Sequence, residues 1–183
     1  AKLASSLDLS GKTVTYGLTD SDMPAGAVLQ VVSSTLSSTF STSNYSSFVD
    51  FLSATITPSS TSSKILVNVH VGGCGHNVAA SRTAAFQLKR GATPIGIGDA
   101  ASTRMRSSFR VQTSTDSNHA RTGSISFLDS PSTASSVTYN CGAMAQTNTL
   151  YINRTGTDAD LGGSGQNYGS RVISTITLTE IAG

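Results

Sequence analysis

The stretch Ser53–Val71, SATITPSSTSSKILVNVHV, decides the fold. With the residue before it, its first half alternates. Leu52, Ala54 and Ile56 share one face of an extended chain, and Ser53, Thr55 and Thr57 share the other. Pro58 stops the run, because proline has no N–H to give to a ladder. After a polar turn of seven residues, 57–63, the alternation resumes in KILVNVHV. There Ile65, Val67, Val69 and Val71 face inward, with Asn68 and His70 outward. The pattern is strand, turn, strand, and it carries no obvious chemistry.

Similar runs recur along the chain. AVLQVVS (27–33) is a continuous apolar run short enough for a buried strand. Further strands are expected within 46–58, 64–71, 84–90, 107–114, 123–129, 135–145, 148–155 and 170–182. Turn clusters such as RGATPIG, TSTDSNHARTG and DSPSTAS separate them. No window sustains a 3.6-residue period, so little helix is expected. Eight or nine short strands describe an all-β, antiparallel β-sandwich of jelly-roll (C1q/TNF-like) type over residues 24–183. Residues 1–23 read as an N-terminal extended arm, in which LDLSGKTVTY is extended around a glycine turn and GLTDSDMPAG breaks the chain.

Composition narrows the function classes. The chain has 183 residues, suited to one domain, and about 30% of them are Ser or Thr. Charged residues make up 12%, aromatics 6%, and there is no Trp. A net charge of +2 is too small to argue for nucleic acid, and no basic–aromatic interleaving supports it. No apolar run reaches the ~20 residues of a membrane helix, so membrane insertion is not expected. The opening AKLASS has no apolar core of a signal peptide. It fits removal of an initiator Met from a complete small protein, and a cloned fragment would begin the same way. With so few large core residues, association is expected to bury further surface.

Sites of chemistry are sparse. HVGGCGHN brings His70, Cys74 and His76 close in sequence, with His119 and Cys141 elsewhere, but the paired short spacings of a zinc site are missing. His76 is the weak metal candidate. Otherwise it reads as a turn histidine beside a buried thiol, and both cysteines read as free. No G-x-S-x-G elbow marks a nucleophile. The acid pairs Asp20/Asp22 and Asp158/Asp160 read as turn-capping residues rather than a glycosidase pair. The loop 155–167, TGTDADLGGSGQN, has oxygen donors for Ca²⁺ but not the spacing of an EF-hand. Cofactors are therefore not expected. Two sequons, at Asn44 and Asn153, carry little weight without a signal peptide. Six of the eight arginines fall within residues 82–121, the basis for a basic rim among otherwise solvated charges.

Several blocks resemble a known family. LDLSGKTVT leading into MPAGAVLQVVSS, the SATITPSSTSSKILV block, FLDSPSTASSVTYNC and the closing TITLTEIA look like a C-terminal domain of tailed-phage (marine or cyanophage-like) tail fibres. The resemblance runs from about Leu7 to Ala182 and rests on structural motifs. It implies a homotrimeric, non-enzymatic virion protein, assembled in the host cytoplasm among other phage proteins and recognising a host-surface glycan or protein. Displayed loops then supply the contacts, with Arg104, Arg106, Asn118, His119, Arg121 and Tyr168 as candidates. Because only about twenty residues precede the β domain, the alternative is a capsid decoration (cement) protein or a head or neck fibre gripping the shell through residues 1–23. A glycan-binding lectin is the second alternative.

Overall fold

The computed structural model describes residue 19 and residues 22–78, 80–158 and 169–183. Of the arm at 1–23, only residues 19, 22 and 23 lie among them, and Tyr168 falls outside. Eleven strands run in chain order: β1 Val28–Leu36, β2 Phe40–Thr42, β3 Val49–Ile56, β4 Lys64–His76, β5 Thr83–Arg90, β6 Thr93–Ile95, β7 Phe109–Gln112, β8 Arg121–Asp129, β9 Val137–Ala145, β10 Leu150–Ile152 and β11 Ser174–Ile181. No α-helix occurs among the described residues.

The two alternating strands of the opening stretch lie in different sheets. β3 pairs with β9, whereas β4 pairs with β11 and β8, all antiparallel. The seven-residue link therefore crosses the sandwich from one layer to the other. Leaving aside the three-residue strands β2, β6 and β10, the pairing is nested. The first strand pairs with the last (β1–β11), β3 with β9, β4 with β8, and β5 with β7. Two further pairings, β11–β4 and β9–β5, close the layers β1-β11-β4-β8 and β3-β9-β5-β7. This is a hairpin wrapped on itself, the jelly-roll topology.

The core lies between the layers. Val67, Val69, Ile176 and Leu178 of one sheet meet Leu52, Ile56, Phe86, Leu88 and Cys141 of the other. Phe86 stacks on Phe109 with ring centroids 4.7 Å apart and meets Phe51 edge-on at 6.1 Å. β4 can run through Gly72 because the Ile173 carbonyl occupies the place a side chain would take. Gly123 likewise lets β8 approach Val111 and Phe109 of β7, so the edges of the two sheets meet there.

Three polar clusters fasten the sandwich. Asp129, at the end of β8, accepts the Tyr139 hydroxyl at 2.7 Å and pairs with Arg90 at 3.0 Å, tying one sheet to the other. Asn153 is fully buried at φ 65°. It donates to the carbonyls of Leu36 and Ser38 at 2.8 and 2.9 Å and accepts the Ser174 hydroxyl at 2.6 Å. One sequon asparagine is thus a structural hub. Glu180 is also buried and takes Gln30 Nε2 at 2.5 Å, Ser59 N–H at 2.7 Å and Ser59 Oγ at 2.8 Å. TPSSTSS and TITLTEIA, far apart in sequence, are held together by this carboxylate.

One strand differs from its reading in the sequence. AVLQVVS does not form a buried strand: β1 is a sheet edge paired only with β11, and its Val28 and Val31 stand 57% and 59% exposed. A bulge between Val28 and Gln30 turns Gln30 inward to Glu180.

Candidate functional site: arginine-lined hollows

The connection from β6 to β7, residues 96–108, carries Arg104 and Arg106. It is fastened to the sheet at several points. Arg106 Nε donates to the Gly98 carbonyl at 2.7 Å, and Gln87 Nε2 donates to the Arg106 carbonyl at 3.0 Å. Ser108 Oγ accepts the Leu88 N–H at 2.8 Å. Arg106 is thereby used to hold its own loop, and Arg104 and Met105 are left projecting.

Arg104 and Met105 border a hollow of about 490 Å³ together with Tyr45, Arg110, Met144 and Gln146. Tyr45 is 72% exposed. Its turn is shaped by Asn44, whose Oδ1 accepts the N–H groups of Ser46 and Ser47 at 3.0 and 2.9 Å. Arg110 stands on the outer face of β7 because Val111 beside it points into the core. A second groove, where β7 meets β8, is lined by Arg110, Thr113, Arg121 and Ser124. Both are open and of small-ligand size. Neither lining includes a carboxylate, and Arg104, Arg110 and Arg121 make no ion pair among the described residues. Uncompensated guanidinium groups at the rim of a low-dielectric sheet attract anions, and their forked donors suit carboxylate or phosphate.

The other candidates are placed differently. Asn118 and His119 lie in the 113–120 loop, organised by Asp116. Its carboxylate accepts the Asn118 N–H at 2.8 Å and lies 3.1 Å from His119 Nδ1.

His76 ends β4 inside the sandwich rather than in a turn. Its Nδ1 is 3.1 Å from Thr113 Oγ1, which spends its one proton on the Arg82 carbonyl. Nδ1 is therefore the donor and Nε2 keeps a lone pair, buried and without a protein partner. Burial, with Arg82 nearby, lowers the histidine to about 4. His70 is on the outer face of the same strand, so the two do not converge. No three His, Cys, Asp or Glu residues among those described form a metal cluster. Burial raises the Cys74 thiol to about 12 and pushes Cys141 up as well.

Asp158, expected as a turn cap or calcium donor, is engaged by two arginines. Arg171 binds both its oxygens, at 3.0 and 2.6 Å, and Arg154 lies 3.0 Å away. Arg154 also sits 3.6 Å above the Tyr151 ring.

No family model matches the chain. No curated protein matches it either. Two solved structures of a virus are similar at low identity. One is a structure of infectious bursal disease virus Gt strain, at 12% identity and TM-score 0.34 over 98% of this chain. The other is a VP2 subviral particle of the same virus, at 13% identity and TM-score 0.32 over 99% of this chain. The chain spans under half the length of each, 45% and 46%.

Sequence reasoning singled out Arg104 and Arg121 as contacts, counted Arg110 only within the basic rim, and missed Tyr45. Arg110 was legible as the outward position between Phe109 and Val111. Tyr45 was legible as an aromatic residue isolated in a polar turn, NYSS, but nothing in the sequence placed it beside Arg104.

Proposed function

We propose that this chain is a non-enzymatic, homotrimeric module on the surface of a bacteriophage virion, a tail-fibre domain that recognises the host cell surface. One observation carries the reading. Arg104 on the fastened β6–β7 connection, and Arg110 and Arg121 on the meeting edges of the two sheets, have no acidic partner among the described residues, and Arg104 and Arg110 stand beside the exposed Tyr45 and Met105. A surface built only to pack would leave such charges paired or absent, whereas a recognition surface keeps them available. The resemblance of the SATITPSSTSSKILV and TITLTEIA blocks to tail-fibre domains supports the virion setting. The same resemblance, which rests on structural motifs rather than catalytic ones, supports a role without catalysis.

The test is binding of the labelled protein to host cells, comparing wild type with the triple variant Arg104→Gln, Arg110→Gln, Arg121→Gln. The reading expects saturable binding, weakened at least tenfold in the variant and by added salt. Equal binding by the two proteins removes the arginines from the contact, and absence of binding by wild type overturns the receptor role.

A further inference from the structure

We infer that the outer face of the β1-β11-β4-β8 sheet is a packing surface for a second copy of this chain. The inference rests on the reading that the protein self-associates, and it names the face. The register lays out that face row by row. Val31, Thr179, Leu66 and Leu128 lie side by side across the four strands. The next row is Ser33, Thr177, Asn68 and Ser126, and the one after it is Thr35, Thr175, His70 and Ser124. Beyond Val31, at the other end, Val28 pairs with Ile181, which pairs with Lys64.

Two properties of these rows point to a copy of the same chain. First, Lys64 is their one Lys, Arg, Asp or Glu, although the chain has 22 such residues, the 12 Lys and Arg plus 10 Asp and Glu. The outer face of the opposite sheet instead holds the Lys89–Asp50 pair and Arg110. Copies related by a rotation axis bring like residues together near that axis, so a face whose single charge lies in its end row keeps self-repulsion low. Second, three of the seven large exposed apolar side chains among the described residues stand on it: Val28 at 57%, Val31 at 59% and Leu128 at 48%. The hydroxyls among them can satisfy one another in the plane, as Ser33 and Thr177 do at 3.2 Å.

The size is adequate. Four strands ~4.8 Å apart and four rows roughly 7 Å apart give about 500 Å² per copy. Two copies then bury about 1,000 Å², the lower bound of a specific interface. In such an assembly the hollow beside Tyr45, on the opposite sheet, remains on the outside, and the β7–β8 groove borders the packed face at Ser124.

The experiment is light scattering after size exclusion, on the full chain, for wild type, Asn68→Glu, Ser126→Lys and the control Ser53→Lys on the opposite sheet. Each face variant is expected to raise the concentration needed for association at least 100-fold, as an unpaired charge would be buried. The control should associate like wild type, with unchanged circular dichroism in all. Should a charged variant misfold, Asn68→Cys is the second probe, since both native cysteines are buried. Mild oxidation should link its copies and should not link Ser53→Cys. Association broken by Ser53→Lys but not by the face variants, or crosslinking only through Ser53→Cys, overturns the chosen face and leaves self-association standing. A wild type that stays monomeric at 100-fold the concentration of ordinary assays (on the order of 100 μM) overturns both.

Discussion

Glu180→Gln probes the link between the opening stretch and the last strand. The wild-type carboxylate accepts three hydrogen bonds, two from Ser59 and one from Gln30 Nε2, and that same Gln30 nitrogen also donates to the Thr57 carbonyl at 2.8 Å. In the variant one oxygen remains for Ser59, but the new NH₂ faces the NH₂ of Gln30, donor against donor. Flipping the Gln30 amide relieves that clash only by giving up Thr57. One charge-assisted bond is lost and two are weakened, a cost of about 2–3 kcal/mol.

Urea unfolding at pH 7 measures that cost, and repeating it at lower pH tests its origin. Burial raises the Glu180 carboxyl, but the bonds from Gln30 and Ser59 outweigh it, so the folded value lies below the ordinary 4.5. A depressed acid contributes stability above the unfolded value, and that contribution is lost as pH falls through the folded one. The gap between wild type and variant should therefore be full at pH 7 and shrink below about pH 4.5. A gap under about 0.5 kcal/mol at pH 7, or one that does not change with pH, refutes the reasoning.

Three further outcomes are expected. His76 is held neutral, lowered from 6.5 to about 4, so the unfolded chain takes up a proton first as pH falls. Wild type should lose up to about 3 kcal/mol between pH 6.5 and 4, and His76→Gln should flatten that slope in urea titrations. Asn153→Asp places a carboxylate against the Leu36 and Ser38 carbonyls in a fully buried site. It should cost at least about 3 kcal/mol by chemical denaturation, against about 0.5 kcal/mol or less for Asn44→Asp in its exposed turn. Cys74 and Cys141 should react with a thiol reagent only at the rate of unfolding, and rapid labelling of the native protein would contradict their burial.

Alternation made much of the fold legible. The inward and outward residues of β3 and β4 stand as SATITPSSTSSKILVNVHV predicts, since a period of two needs no knowledge of partners. Partners were not legible. The same period fits a hairpin and a crossing between sheets, and only the nested pairing shows that 57–63 crosses. AVLQVVS failed for a related reason. An apolar run reads alike at a buried centre and at an edge that packs on something further. β2 and β6 are three residues each, too short for a period to register. The arginine hollows were half legible, because loop arginines can be noticed singly, whereas their meeting with Tyr45 depends on which loops the topology brings together.

The measurement that bears most directly on the function is the copy number of this chain in purified particles, by quantitative mass spectrometry against the major capsid protein. A tail-fibre domain predicts a few trimers per particle. Hundreds of copies, near one trimer per capsomer, would contradict that and place the chain on the shell as a decoration protein, and its absence from particles would contradict a virion role altogether.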